Sequence, residues 1–222
     1  MVQAEVCRLS SMQNNTSKMV ALLGKIRKQM NGAVLDTFRY YGAKYGMNYG
    51  VAIHSLRDMA HEVGTDEELS QFLLCQQVRE LQIIALWIAD SRAVTVESLE
   101  GWRSKIINSE IAEQAAQALF SRIDVIDALL DSWCNTDNEL LAYAALLAAS
   151  RNDRASVEAI SRAVQNTVAR FADNHLAAQG ISRLLGAKIA QNRAMVVEVI
   201  SALPANKTAE SVREEIAWQL EY

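Results

Sequence analysis

Apolar residues recur along almost the whole chain at the three- and four-residue spacing that places them on one face of a helix. Thr65, Thr95, Ser109 and Thr208 immediately precede such segments, and hydroxyl residues in these positions are typical helix N-caps. The pattern predicts helices at residues 2–12, 16–30, 33–45, 51–63, 66–75, 78–90, 95–107, 109–120, 123–134, 137–150, 155–172, 175–191, 194–202 and 208–221.

The spacing of these helices narrows the architecture. From residue 66 onwards, helix pairs recur at roughly thirty to forty residues, a period typical of HEAT-like repeats. An irregular helical bundle is the alternative arrangement of the same segments. The chain has one proline and nine glycines, too few for the turns of a β-sandwich or an α/β barrel. We therefore expect an all-α protein and treat residues 1–222 as a single HEAT-like repeat domain.

Charge is distributed unevenly along the chain. Residues 1–63 hold eight Lys and Arg against four Asp and Glu, residues 64–144 five against fourteen, and residues 145–195 seven against three. Two basic segments thus flank an acidic middle, a distribution that permits contact with nucleic acid without requiring it. The basic residues that would either line a DNA-binding surface or form ordinary solvated faces are Lys18, Lys25, Arg27, Lys28, Arg151, Arg154, Arg162, Arg170 and Arg183.

The remaining composition indicates a cytoplasmic protein without a metal or a cofactor. The cysteines Cys7, Cys75 and Cys134 are odd in number and widely spaced, which favours reduced and mostly buried thiols. The N-terminal segment is polar where a signal peptide needs an apolar core, and the longest apolar runs reach about half a membrane span. His54 and His61 lie too far apart on one helix for a two-histidine zinc site.

A stretch in the first half of the chain carries a more specific pattern. Its residues are Gly50, Val51, Leu56, Arg57, Glu68, Leu69, Arg79, Glu80, Ala85, Asp90, Val94, Thr95 and Trp102, with continuation at Gln114, Leu119 and Phe120. In these residues the segment from Tyr45 to Trp102 resembles the AlkD-like DNA alkylation repair family. The resemblance implies a right-handed α-α superhelix of HEAT-like repeats whose concave face can cup duplex DNA. Family enzymes hydrolyse the N-glycosidic bond of N3- or N7-alkylated purines.

The resemblance also places the site residues. The family's Trp-Asp-x-x-Asp segment aligns with "SEIAE", so Ser109 occupies the aromatic position and Glu113 that of the catalytic acid. Tyr143 replaces an arginine that helps to hold the DNA backbone, and Arg162 replaces a later tryptophan. One carboxylate can both orient water and stabilise positive charge on the sugar, as this reaction requires. Helix-start stabilisation is the alternative role for Glu113.

Other side chains have a structural role as the alternative to a functional one. Arg79 either faces DNA or forms a salt bridge with Glu80 that holds neighbouring helices together, and we favour the salt bridge. We expect a solvated acidic face at Asp124, Asp127 and Asp131. We expect packing in the core or between repeats for Trp87, Trp102 and Trp218.

Two functions follow from these observations. In the first, the chain is a monomeric protein that binds duplex DNA and hydrolyses alkylpurine glycosidic bonds. Glu113 is then the acid, and the DNA-binding residues are Ser109, Tyr143, Arg162, Arg154, Lys25 and Lys28. In the second, the changed residues at Ser109, Tyr143 and Arg162 leave a non-catalytic HEAT-repeat scaffold that binds DNA or a protein partner.

Overall fold

A computed structural model describes the backbone of residues 2–40 and 45–221 and the side chains of residues 12–36 and 45–221. The chain forms two compact units, Met1–Asp90 and Ser91–Tyr222. The all-α prediction is confirmed, because the described residues form helices and one isolated β-bridge between Met47 and Val78. Treatment of residues 1–222 as one domain stays a prediction, and the end of the predicted helix 33–45 lies outside the described residues.

The first unit contains five helices among its described residues. Helix α5 packs against α3 and α4, and α1 packs against α4 and α5. Leu56, Leu69 and Ile84 are buried at these contacts, as the helical spacing of apolar residues requires. The helices are α1 (Val2–Lys28), α2 (Gly32–Tyr40), α3 (Ile53–Val63), α4 (Glu67–Leu74) and α5 (Arg79–Ile88).

A buried ion pair at the start of α5 anchors the segment that leads into α3. Nη1 of Arg79 lies 3.0 Å from Oε1 of Glu80, and the two side chains are 1% and 0% exposed. The same Nη1 donates to the Val51 carbonyl at 2.9 Å, while the Tyr49 and Val51 N–H groups donate to Oε1 at 3.0 and 3.3 Å. Burial therefore excludes the DNA-facing role that we considered for Arg79. Gly50 has a φ of +71°, and a Cβ there would lie 2.3 Å from the Asn31 carbonyl oxygen, so this segment requires glycine.

The second unit is built from two layers of alternating helices. In one layer α9 lies between α7 and α11, and in the other α8 and α10 pack against each other while both contact α9. Helix α12 covers α11. This alternation is typical of HEAT-like repeats. The helices are α6 (Leu99–Arg103), α7 (Ser109–Ala118), α8 (Ile126–Trp133), α9 (Glu139–Ser150), α10 (Val157–Arg170), α11 (His175–Ser201) and α12 (Lys207–Glu221).

Aromatic residues fill part of the core of the second unit. The ring of Phe120 lies edge-on between Trp102 and Trp133, at centroid distances of 5.8 and 5.0 Å. The packing role predicted for Trp102 is confirmed. Trp218 contradicts the same prediction, because it is 64% exposed on α12, away from the buried side of that helix.

Local hydrogen bonds and backbone geometry explain how three predicted helix boundaries compare with the structure. Two of these boundaries differ from the observed helices, and one agrees. The segments 2–12 and 16–30 form one helix, since the Thr16 and Ser17 hydroxyls donate to carbonyls four residues earlier and are satisfied within it. The segment 95–107 is helical only at Leu99–Arg103, because Thr95 and Ser98 exchange hydrogen bonds and form a turn. The break predicted between residues 191 and 194 is a kink in α11 at Asn192.

Three predicted N-caps lie one or two residues from the side chains that cap the helices. Each observed cap is an Asp or Asn whose oxygen accepts from the backbone N–H three residues later, at 2.9–3.0 Å. Such side chains are among the strongest N-caps, so they take precedence over a neighbouring hydroxyl. The predicted Thr65, Ser109 and Thr208 are replaced by Asp66, Asn108 and Asn206.

Candidate functional site

Three polar side chains meet on the layer formed by α7, α9 and α11. The hydroxyl of Tyr143, on α9, donates to Oε1 of Glu113, on α7, at 2.8 Å. Oε1 of Gln179, on α11, lies 3.2 Å from the same hydroxyl oxygen and is a second acceptor. Glu113 and Tyr143, which the sequence predicted as site residues, are thus brought together. Glu113 is half-buried, and no described side chain donates to its second carboxylate oxygen.

The Tyr143 hydroxyl is held in its protonated form. Burial raises its pKa above the ordinary value of 10.0, and the hydrogen bond to the Glu113 carboxylate and the negative charge of that group raise the pKa further. The positive charges of Arg183 and Arg151 act in the opposite direction. The hydroxyl therefore serves as a fixed hydrogen-bond donor to Glu113 at neutral pH.

A glycine on α11 permits this close packing. A Cβ at Gly180 would lie 3.1 Å from Cδ2 of Tyr143 and 3.2 Å from Cδ1 of Leu146. Both distances are shorter than ordinary van der Waals contact, so a side chain at this position would push the tyrosine ring or α11 away. Sequence periodicity predicted no role for Gly180, and no local signal identifies one.

Two arginines beside the cluster are exposed and carry no ion pair with a described residue. Arg151 directly follows α9, and Arg183 lies one turn after Gln179 on α11. Both lie close enough to Tyr143 to affect its pKa. Two positive charges thus face solvent near Glu113, which suits a polyanionic ligand.

The arginines on the α8–α10 layer differ, because each is paired with an aspartate about thirty residues earlier. Arg162 donates to both oxygens of Asp131, at 3.1 and 2.9 Å, which raises the pKa of the guanidinium. Arg170 donates to Asp137 at 2.8 Å, and Asp127 accepts from the Ser156 N–H at 2.9 Å. The remaining pair is Arg154 with Asp124.

These pairs correct two expectations. The structure does not bring Arg162 to Glu113 and Tyr143, because α10 lies in the other layer and its arginine is held by Asp131. The predicted acidic face is not merely solvated, since Asp124 and Asp131 bind arginines of the following repeat. The only sequence signal for these ion pairs is a similar spacing between each aspartate and its arginine, and it can be recognised only once the pairs are known from the structure.

The other predicted DNA-binding residues are Ser109, which precedes Glu113 on α7, and Lys25 and Lys28, which belong to the first unit. Ser109 is exposed at the start of α7, one turn before Glu113, and Asn108 caps the helix there. In the first unit, Lys25 pairs with Glu62, whereas Lys28 is exposed and has no ion pair among the described residues. DNA contact by Ser109, Lys25 and Lys28 stays a prediction.

Clefts occur in both units. In the first unit, Arg57 lies over the Trp87 ring, 4.7 Å from its centroid, in a cavity of about 390 Å³. In the second unit, a cleft of about 430 Å³ lies between α11 and α12 and includes Gln179 and Arg183. The second cleft therefore adjoins the Glu113–Tyr143–Gln179 cluster.

The described residues offer neither a metal site nor a membrane-spanning helix. No group of three or more His, Cys, Asp or Glu side chains lies close enough to hold a metal ion within that part of the chain. None of its helices combines the length and apolar character needed to cross a bilayer. Cys134 is buried, as predicted for the thiols, but Cys75 is exposed, and the side chain of Cys7 lies outside the described residues.

Comparison with known proteins identifies the family. Residues 23–179 match the family described as "DNA alkylation repair enzyme". The match spans more than half of the chain, so the protein belongs to this family of helical-repeat proteins. No curated protein matches the chain at a significant level of sequence similarity.

A solved structure has a similar fold. It is described as "A new family of proteins related to the HEAT-like repeat DNA glycosylases with affinity for branched DNA structures". The superposition has a TM-score of 0.68 at 13% sequence identity and covers 89% of this chain and 93% of the other. This likeness supports the HEAT-like fold, which was predicted from the helix spacing and the family resemblance.

Proposed function

We propose that this protein binds DNA through a surface of its second unit that contains Arg151, Arg183 and the Glu113–Tyr143–Gln179 cluster. The observation that carries the proposal is the contrast between paired and unpaired arginines. On the α8–α10 layer each of the arginines at 154, 162 and 170 is neutralised by an aspartate, whereas Arg151 and Arg183 are not. Unpaired arginines can contact phosphate oxygens without first breaking an ion pair.

Two comparisons support a nucleic acid as the ligand. The description of the family to which the chain belongs refers to DNA alkylation repair. The protein with the similar fold is described by an affinity for branched DNA. A DNA strand supplies the regularly spaced anionic groups that two arginines on adjacent repeats could bind.

The salt dependence of DNA affinity tests the proposal. We expect binding of a fluorescein-labelled duplex to weaken steeply with salt, and Arg151→Ala and Arg183→Ala each to lower the slope of log K against log salt by about 0.9. Arg162→Ala removes the same charge from a paired position and is the matched control, so its slope should change less. Equal effects of all three substitutions, or no binding at low salt, would contradict the proposal.

Hydrolysis of an alkylpurine glycosidic bond is the second function, and the contact between Tyr143 and Glu113 favours it. Tyr143 holds one carboxylate oxygen of Glu113, which leaves the other to accept a proton from water. As the water oxygen forms a bond to the sugar carbon, the bond from that carbon to the base nitrogen breaks. The electrons of the broken bond neutralise the cationic base. The water proton passes to Glu113.

This chain has no aromatic side chain at the two positions where the family pattern has tryptophan. Ser109 and Arg162 occupy them, and Arg162 is held by Asp131. Without an aromatic face to stabilise positive charge on the substrate, we expect slow catalysis. Protein-scaffold function, without DNA binding or catalysis, is the outcome if both activities are absent.

Release of N7-methylguanine or N3-methyladenine from alkylated duplex DNA tests the catalytic function. We expect single-turnover release above background, and loss of that release in Glu113→Gln, which keeps the shape of the side chain but cannot accept the proton. Glu110→Gln, one turn earlier on α7, is the matched control and should retain activity. Wild-type release no faster than background would reject catalysis and leave the DNA-binding proposal standing.

A further inference from the structure

The Tyr143 hydroxyl lies within hydrogen-bond distance of two side chains but has only one hydrogen to donate. Its oxygen is 2.8 Å from Oε1 of Glu113 and 3.2 Å from Oε1 of Gln179. The Glu113 carboxylate is the closer acceptor and the charged one, so it takes the hydrogen. The hydroxyl oxygen then keeps lone pairs that are satisfied by a donor and not by a second acceptor.

The amide of Gln179 can supply that donor. A side-chain amide carries an oxygen acceptor and a nitrogen donor of similar size, so a half-turn about its last side-chain bond exchanges them in place. With the nitrogen toward Tyr143, the 3.2 Å contact becomes a hydrogen bond from the amide to the hydroxyl oxygen. Within the described part of the chain, only Glu113 and Gln179 form hydrogen bonds with this hydroxyl, so Gln179 is its available donor.

Helix α11 holds Gln179 beside the hydroxyl. The next residue, Gly180, is buried against the ring of the same tyrosine, where a Cβ would lie 3.1 Å from Cδ2. Two consecutive residues of α11 thus contact Tyr143, one at its ring and one at its hydroxyl. Because this contact is close-packed, the backbone that carries the Gln179 amide has little freedom to move away from the tyrosine.

We propose that Gln179 is a positioning residue for Glu113 and acts through Tyr143. Its amide donates to the tyrosine oxygen, and the tyrosine hydroxyl donates to the carboxylate, so both donors are directed toward the negative charge. A hydroxyl that accepts a hydrogen bond is itself a stronger donor. The chain of hydrogen bonds fixes one carboxylate oxygen and leaves the other to accept a proton from water. The inference rests on the catalytic role proposed for Glu113 and adds a supporting residue to it.

Substitution of Gln179 distinguishes a donor from a competing acceptor. If the amide donates, Gln179→Met should slow the release of an alkylated base about fivefold, the rate equivalent of one hydrogen bond. Gln179→Glu offers a carboxylate that competes with Glu113 for the tyrosine hydrogen, so it should slow release further. Single-turnover rates at saturating protein keep changes in DNA affinity out of the comparison. Unchanged or faster release in Gln179→Met would show that the amide only competes for the hydrogen, and would overturn the proposal.

Urea unfolding tests the same chain of hydrogen bonds without catalysis. Gln179 and Glu113 form no hydrogen bond with each other, yet the proposal predicts that their substitutions are not additive. Glu113→Ala should lower the unfolding midpoint less in Gln179→Met than in the wild type, because the hydrogen bond that it removes is already weakened. In a Tyr143→Phe background the two losses should be additive. Additive losses with Tyr143 present, or a larger loss in Gln179→Met, would overturn the proposal.

Gln191→Met is the matched control for both experiments. Gln191 lies on the same helix, and its amide donates to Asp153 at 2.9 Å instead of to the cluster. Its substitution removes a hydrogen bond of the same kind and should change neither the release rate nor the coupling. Wild-type release no faster than background would reject the catalytic function alone, whereas the unfolding comparison still decides whether Gln179 supports Glu113 through Tyr143.

Discussion

The hydroxyl of Tyr143 donates a hydrogen bond to Oε1 of Glu113, and the two oxygens are 2.8 Å apart. The residues lie on neighbouring repeats, on helices α9 and α7 that pack side by side. One contact thus links two residues that the family resemblance predicts as site residues. Because burial and the carboxylate both raise the pKa of Tyr143, this contact persists throughout the neutral pH range.

The hydrogen bond between Tyr143 and Glu113 should contribute measurably to stability. Tyr143→Phe removes the donor and leaves the ring packed, so we expect a loss of about 1–3 kcal/mol, the range for a hydrogen bond to a charged group. Urea unfolding of Tyr143→Phe, Glu113→Ala and the double variant gives the coupling free energy. Strictly additive losses would mean that the two side chains do not interact in solution.

Gly180 should tolerate no side chain beside the tyrosine ring. A helical Gly→Ala substitution ordinarily stabilises by up to about 1 kcal/mol, whereas overpacking a core costs about 1–3 kcal/mol. The 3.1 Å approach to Tyr143 makes overpacking the larger effect, so Gly180→Ala should be destabilising. Gly101→Ala is the control on another helix, where an added Cβ has no neighbour within 4 Å, and it should not destabilise. Thermal unfolding distinguishes the two.

The buried and the exposed arginine pairs should differ in their importance for folding. Arg79→Ala leaves Glu80 as an unpaired charge in the core, which costs about 3–5 kcal/mol. Arg162→Ala breaks an exposed pair with Asp131, and such pairs contribute about 0–1 kcal/mol. Chemical denaturation measures both, and a loss at Arg162 as large as that at Arg79 would refute the ranking.

Stability should fall at alkaline pH. Burial raises the pKa of the Cys134 thiol from 9.0 to about 12, and the pKa of Tyr143 is also raised. The folded state keeps these protons up to a higher pH than the unfolded state does. The contribution of the two groups to stability is therefore complete below about pH 9 and declines as the pH rises. We expect the free energy of unfolding to drop by up to about 1.4 kcal/mol per pH unit for each group.

The variant Cys134→Ala isolates one contribution to this pH dependence. Urea unfolding between about pH 8 and about pH 11 should give a shallower decline in Cys134→Ala than in the wild type. A decline of unchanged slope would show that the thiol ionises equally easily in the folded and the unfolded states.

Thiol reagents should distinguish the exposed cysteine from the buried one. In a Cys7→Ser background, Cys75 should react with Ellman's reagent at neutral pH, because it is exposed. Cys134 should react only after unfolding, since its thiol is buried and its thiolate is suppressed. Two fast-reacting thiols in the folded protein would contradict the placement of Cys134.

Local sequence pattern predicted the helices well where packing follows from periodicity. The break before residue 194 coincides with the kink at Asn192, and Trp102 lies in the core as expected. Pattern failed where the outcome depends on a specific side-chain hydrogen bond, as at Thr95, whose turn with Ser98 delays the helix to Leu99. Such bonds compete with helix geometry and leave no periodic signal.

The candidate site was predictable only in part. The family resemblance assigned Glu113 and Tyr143 to functional positions, and the structure joins them by a hydrogen bond. The resemblance could not identify Gln179 as a third member, because it lies 36 residues after Tyr143 on the next repeat. Packing in the core or between repeats was also expected for Trp218, which is 64% exposed, because the sequence does not show which side of a helix is covered.

The sequence by itself determined that this chain is helical, that its helices recur at the period of HEAT-like repeats, and that it belongs with DNA alkylation repair proteins. These properties follow from apolar spacing and from short motifs, which are local. Only the tertiary structure decided which arginines are available to a ligand. Arg162 and Arg183 have the same charge in the sequence, yet packing of α8 against α10 gives Arg162 an aspartate partner, whereas Arg183 faces solvent beside the cleft. Folding pairs some of the arginines with aspartates, and only the arginines that remain unpaired are available to form a binding surface.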